Sequence, residues 1–242
     1  MDVKEAGQFE IGFCERLKTS TDRAMYLTED QSRSIVTRCE AIEARTGAEV
    51  LVAVVGKCDC YPELPWKAFA LGAAAGAQLV LLQWLWRPIW SASWEAPANV
   101  ALVLGLGGLA SLLTIFWPGL ARLFLDRARV ETETRQYAQA FFLERDMSRT
   151  TARNALLILV GVFERQVVIL PDRGVADRLA PDGLASAIAP MVGALRRGDH
   201  FQALREGLIR IEALLREAGF HAPEGQTDQI ADELVQQKGA AR

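Results

Sequence analysis

The chain has 242 residues, 50% hydrophobic and 24% charged, with 27 Lys and Arg against 30 Asp and Glu for a formal net charge of −3. That balance excludes the concentrated basic face that nucleic acid requires, so no nucleic-acid partner is expected. The averages conceal two long uncharged runs, and these runs organise the rest of the chain.

Residues 1–26 form an N-terminal segment in which Phe9, Ile11, Phe13 and Leu17 are spaced for a short amphipathic stretch. Met1-Asp2-Val3-Lys4-Glu5 lacks the basic-then-apolar layout of a secretory leader. The four cysteines, Cys14, Cys39, Cys58 and Cys60, include no Cys-x-x-Cys pair. Together these features predict reduced thiols in a cytosolic compartment. His200 and His221 are the only histidines, too few for a histidine-based zinc site.

Residues 27–65 read as the first part of a folded domain. Thr28-Glu29-Asp30-Gln31 is a capping box, with Ile35, Cys39 and Ile42 following at helical spacing and Gly47 placed to end the helix. Ala48 to Val55 is a short apolar, β-branched run that predicts a buried strand.

Residues 66–125 predict a transmembrane hairpin, with crossings at about 68–86 and 99–121. Ala68 to Trp86 carries no charge over nineteen residues, roughly 28 Å as a helix. That just matches a hydrocarbon core of about 30 Å. Ala96 to Ala121 is uncharged over twenty-six residues. The nine residues from Arg87 to Glu95 between the two runs can form only a short turn. All six tryptophans lie in this region. Trp84, Trp86, Trp90 and Trp94 surround the turn, while Trp66 and Trp117 mark the far ends, as indole rings do at headgroup boundaries. Gly72 and Gly76, Ala101 and Gly105, and Gly107 and Ser111 have the small-x-x-x-small spacing of close helix packing, and Gln78 and Gln83 are expected to face the partner helix. Gly105-Leu106-Gly107-Gly108-Leu109-Ala110 imitates a dinucleotide fingerprint, but no strand precedes it. Lys67, Arg122, Arg127 and Arg129 flank one end, and Arg87 alone the other. This places both termini in the cytoplasm.

Residues 126–220 read as the second part of the same domain. A helix over 129–146 precedes an apolar strand, Ala155 to Val162, a tight turn at Phe163-Glu164-Arg165-Gln166, and a third strand, Val167 to Leu170. The turn residues Glu164 and Arg165 are expected to be solvated. Two helices follow: one from Asp182 to Arg196 containing Pro190, and one from Asp199 with Phe201, Leu204, Leu208, Ile211 and Leu215 on one stripe and Gly219 at its end. The strand before the hairpin has no partner of its own and must pair with those after it. The predicted fold is therefore α/β, a three-stranded mixed sheet covered by helices. Its first two strands are parallel and its last two antiparallel. Residues 221–242 form a polar tail, with a short helical turn expected at Asp228 to Val235.

This order of elements resembles the TPM domain. The resemblance is carried by Leu27 to Gln31 through Ala44 to Val50, by Asn154 to Val160 and Glu164 to Ile169, and by Leu195-Arg196-Arg197-Gly198-Asp199 before the last helix. It implies a TPM-like α/β/α fold. A bacterial branch of the family carries two membrane helices after the first strand, as here, which implies an inner-membrane location. It further implies one of three roles: acid phosphatase, binder of a divalent metal such as calcium or magnesium, or accessory protein of a membrane complex. The family's site uses acidic residues before the second strand and around the turn after the third. Here the first of these loops reads Arg149-Thr150-Thr151-Ala152-Arg153-Asn154, with Arg153 where many relatives have Asp. The second keeps Asp172 and Gly174.

Arg149, Arg153 and Asp172 are accordingly the candidate binding group, read as a loop-fixing salt bridge, as an anion or peptide contact, or as a hydrolytic site. Asp172, Asp177 and Asp182 are the candidate metal ligands. Cys58-Asp59-Cys60 is a weak metal or redox clip. No catalytic residue is assigned. The expected function is a non-enzymatic accessory protein whose partners are the lipid bilayer and a membrane protein or second copy. The alternative is a divalent-metal-dependent phosphatase.

Overall fold

The computed structural model describes residues 26–86, 94–150, 152–179, 181–222 and 234–240. The chain divides into two compact units: a sheet unit, comprising the described residues up to Asp59 and from Val130, and a hairpin unit, Cys60–Arg129.

The sheet unit opens with α1 (Glu29–Thr46) and β1 (Glu49–Val55). The Thr28 hydroxyl accepts from the Gln31 N–H, and the Gln31 side chain accepts from the Thr28 N–H, so the capping box is complete. Gly47, at φ 70°, turns the chain out of α1 in the left-handed conformation.

The hairpin unit contains α2 (Glu63–Trp86) and α3 (Glu95–Phe116), then a single helical turn, Pro118–Ala121, and a 3₁₀ turn, Arg122–Phe124. Both long helices are long and apolar enough to cross a membrane. Only 11% of each apolar span is buried, whereas the core helix of a water-soluble protein is mostly covered.

The two helices approach closely at glycines. A Cβ on Gly72 would lie 2.6 Å from the Leu106 carbonyl oxygen, one on Gly76 2.9 Å from Val103 Cα, and one on Gly107 2.9 Å from the Phe69 ring. Gly105 does not share in this packing, because a Cβ there would meet nothing within 4 Å. The two small-residue repeats of α3 lie on different faces, and the phase carrying Gly107 is the one that meets α2. Gln78 and Gln83 are both exposed, contrary to the expectation that they face the neighbouring helix.

The sheet unit resumes with α4 (Arg127–Glu144), β2 (Ala155–Gly161), β3 (Gln166–Pro171), α5 (Pro181–Arg197), α6 (His200–Glu217) and β4 (Val235–Gln237). The sheet order is β3-β2-β1-β4. β1 pairs in parallel with β2, from Glu49 opposite Ala155 to Val55 opposite Gly161, and β2 pairs antiparallel with β3. Both pairings match the expected ones. The sheet has four strands rather than three, because β4 adds in parallel to the far side of β1, Ala53 opposite Val235. The helical turn expected there is corrected at Val235, which is in a strand; residues 228–233 lie outside the described residues.

β1 and β2 are buried along their whole length, which is why both read as continuous apolar runs rather than alternating ones. One face packs Val50, Val52, Val54, Leu156 and Ile158 against α1, α5 and α6. The other packs Leu51, Ala53, Leu157 and Leu159 against Ala138 and Phe141 of α4. β4 is fastened by a side chain: Gln236 Oε1 accepts from the Tyr26 and Leu27 N–H groups at 2.8 and 3.1 Å, and its Nε2 donates to Ser32 Oγ at 3.0 Å.

Candidate functional site

The loops that carry the expected binding group meet at the edge of the sheet where β1 and β2 begin and β3 ends. Asn154 is buried and donates its side-chain amide to the Gly47 carbonyl, tying the end of α1 to the start of β2. Arg153, at φ 51°, points out of the same turn. The Asp172 N–H donates to the Ala155 carbonyl at 2.7 Å and lengthens the β2–β3 ladder by one bond. Asp172 then caps the short turn Arg173–Ala176, with Oδ1 accepting from the Arg173 N–H at 2.7 Å. Gly174 fits only because it has no side chain: a Cβ would lie 2.6 Å from the Ala152 carbonyl oxygen and 2.7 Å from that of Arg153.

This framework brings Arg153 and Asp172 together as a forked pair. Nε donates to Oδ2 at 2.9 Å and to Oδ1 at 3.2 Å, and Nη2 donates to Oδ1 at 3.0 Å. The Asp172 side chain is 4% exposed and that of Arg153 54%, so a buried carboxylate is neutralised by a cation that keeps one side in water. Arg149 does not join them. It pairs instead with Asp146, three residues back, at 3.1 Å on the surface. The expected trio is thus a pair plus a separate surface bridge.

The candidate metal ligands do not converge. Asp177, after the short turn Arg173–Ala176, and Asp182, in the first turn of α5, are both exposed, while Asp172 is committed to Arg153. Among the described residues no three His, Cys, Asp or Glu side chains group so as to hold a metal ion.

A second polar cluster, not anticipated, lies where β1 ends and β2 turns into β3. Glu164 is buried, not solvated, and Oε1 accepts the Cys58 N–H at 2.9 Å. Gly161 leaves the room: a Cβ there would lie 2.8 Å from Glu164 Oε2. A glycine ending an otherwise apolar strand, three residues before an acid, was the available signal. Cys58 and Cys60 are not joined in a disulfide. Burial, and secondarily Glu164, pushes the Cys58 thiol above its ordinary range. A thiol held protonated is a poor nucleophile and a poor metal ligand, which argues against the redox clip.

Tyr137, on α4, donates to Gln237 Oε1 at 3.3 Å. Burial, then the nearby Cys58, Glu144 and Glu164, pushes its phenol up to about 12. In both groups the fold keeps a proton that the unfolded chain gives up at lower pH, so both contributions are complete at neutral pH and are lost as pH rises. Unfolding free energy of the full chain is expected to decline from about pH 9 as Cys58 ionises in the unfolded state, and more steeply above 10 as Tyr137 does. The Tyr137 part amounts to about 2.7 kcal/mol by its upper limit. Urea titrations at stepped pH check this: Cys58→Ala should remove the first decline and Tyr137→Phe should lessen the second, to which Tyr26, its phenol also raised by burial, contributes the rest; a profile flat to pH 11 would contradict it.

Comparison with known proteins agrees with this architecture. A family model described as TPM domain matches residues 123–214. The fold is similar to the NMR structure of BA42 protein from the psychrophilic bacterium Bizionia argentinensis, with a TM-score of 0.52 and 15% identity, over 90% of this chain and 99% of that one. No curated protein matches the chain.

Proposed function

We propose that this chain, a member of the TPM-domain family, is a membrane-anchored accessory protein. Its hairpin crosses a bacterial inner membrane twice, and its sheet unit binds a protein partner on the cytoplasmic side. The observation that carries this reading is the commitment of Asp172. Its carboxylate already accepts from the Arg153 guanidinium and from a backbone N–H. A divalent metal needs several oxygen ligands around it, and here a cation occupies the loop instead. Placement of the sheet unit in the cytoplasm is supported by Lys67, Arg122, Arg127 and Arg129 flanking one end of the hairpin against Arg87 at the other. The partner is a membrane protein or a second copy of the chain, with Arg153 as the exposed contact of the sheet edge.

Crosslinking the full chain in mild detergent before affinity recovery tests this. A specific partner or a crosslinked homodimer is expected, and loss of that product in Arg153→Ala would map the contact. Recovery of no specific product would count heavily against the accessory role. Magnesium-, calcium- or manganese-dependent hydrolysis of a phosphomonoester, abolished by Asp172→Ala, would replace it with phosphatase activity.

A further inference from the structure

We infer that the end of the hairpin unit carrying Lys67, Arg122 and Arg127 is a docking surface for anionic phospholipid headgroups. The inference rests on the anchoring reading above and names a partner for it. The start of α2 and the segment after α3 lie side by side: Lys67 Nζ donates to the Phe124 carbonyl at 3.3 Å, and Arg129 Nε pairs with Glu63 at 3.3 Å. Four of the five cations between 60 and 129 therefore gather at one end. The acids there are Glu63, which Arg129 offsets, and Asp126, which accepts the Ala128 N–H at 2.9 Å. Within residues 60–129 the balance at this end is four cations against two acids, an excess of positive charge; Glu131 and Glu133 follow on α4.

Apolar surface stands beside that charge. Trp66 is 73% exposed, Trp117 65% and Leu123 77%. In water such exposure would be costly, because each of these side chains loses its hydrophobic stabilisation. At a bilayer boundary the same residues fit, with rings and Leu123 at the acyl edge and cations among the phosphates. A guanidinium or ammonium donates to a phosphodiester oxygen, and a headgroup bearing a net negative charge gains where a zwitterionic one does not. An acidic protein would satisfy the charges but would have to cover the indoles and Leu123 as well, whereas the bilayer that receives α2 and α3 supplies both.

The test uses the full chain with Trp84, Trp86, Trp90 and Trp94 changed to Phe, leaving Trp66 and Trp117 as reporters. It is reconstituted into phosphatidylcholine vesicles containing equal fractions of brominated phosphatidylglycerol or brominated phosphatidylcholine. Stronger tryptophan quenching by the anionic lipid is expected. In Lys67→Gln/Arg122→Gln/Arg127→Gln that preference should fall about fivefold for each cation removed, with quenching by brominated phosphatidylcholine unchanged. Equal quenching by the two lipids in the parent, or a preference that survives the triple change, overturns the inference while leaving the anchoring intact. Quenching by neither lipid overturns the anchoring itself. Binding of a polyglutamate peptide that needs the same three cations, without any lipid preference, makes this end a protein-docking surface and overturns the inference too.

Discussion

Gly72→Leu is expected to break the helical hairpin apart, at a cost of about 3 kcal/mol or more. The position has no room: a Cβ would meet the Leu106 carbonyl oxygen at 2.6 Å, Ala110 Cβ at 2.8 Å and Gly107 Cα at 3.0 Å. Two of these atoms are backbone, so relief requires moving α3 as a whole. In lipid no hydrophobic force presses two helices together, and association depends on this close fit. Gly105→Leu, on α3, is expected to be nearly neutral for the fold, because its face is open. Unfolding of the full chain in mixed micelles of rising dodecyl sulfate separates the two. Equal loss in both variants would mean that the packing face is wrongly assigned.

Asp172→Ala is expected to destabilise the sheet unit by about 2–3 kcal/mol. It removes a helical cap worth roughly 1 kcal/mol and charge-assisted hydrogen bonds of roughly 1.5 kcal/mol or more. Arg153 limits the damage, since with 54% of its side chain exposed it can turn to water when its partner is gone. Asp172→Asn should keep the cap and lose only the ion pair, falling between parent and alanine variant. Urea unfolding of the full chain followed by circular dichroism gives the order. Calcium, magnesium or manganese should leave the melting temperature of the parent unchanged; a rise with any of them that vanishes in Asp172→Ala would show that the carboxylate serves a metal.

The elements legible in the sequence are those whose cause is local. The capping box at Thr28, the left-handed Gly47 and the stripe of α6 each depend on neighbours within a few residues, and each forms where expected. The pairing of β1 with β2 was legible because an isolated apolar strand must find a partner. β4 was not, since Val235-Gln236-Gln237 has neither alternation nor an apolar run. It is fixed from outside, by Gln236 reaching Tyr26 and Leu27 some two hundred residues away. The site was half legible. Opposite charge suggested Arg153 with Asp172, but Arg149 had a nearer acid in Asp146, and proximity along the chain won. Glu164 reads as a solvated turn residue because nothing nearby in sequence shows that Cys58 offers it a buried N–H. The choice between Gly105 and Gly107 depended on helix phase, which spacing alone leaves open.

The position of the hairpin within the sheet sets an order of events during synthesis. β1 and its neighbour β2 are about a hundred residues apart in the chain, and at 5–20 residues per second a ribosome needs roughly 5–20 s to supply that length. In that interval β1, with Val50 to Val55 apolar throughout, has emerged without the strand that will cover it. The two apolar helices leave the ribosome before β2 does, so under the proposed anchoring membrane insertion precedes closure of the sheet. A nascent chain delayed at insertion would keep a bare strand edge available to other chains, which makes the rate of bilayer entry a control on aggregation as well as on location.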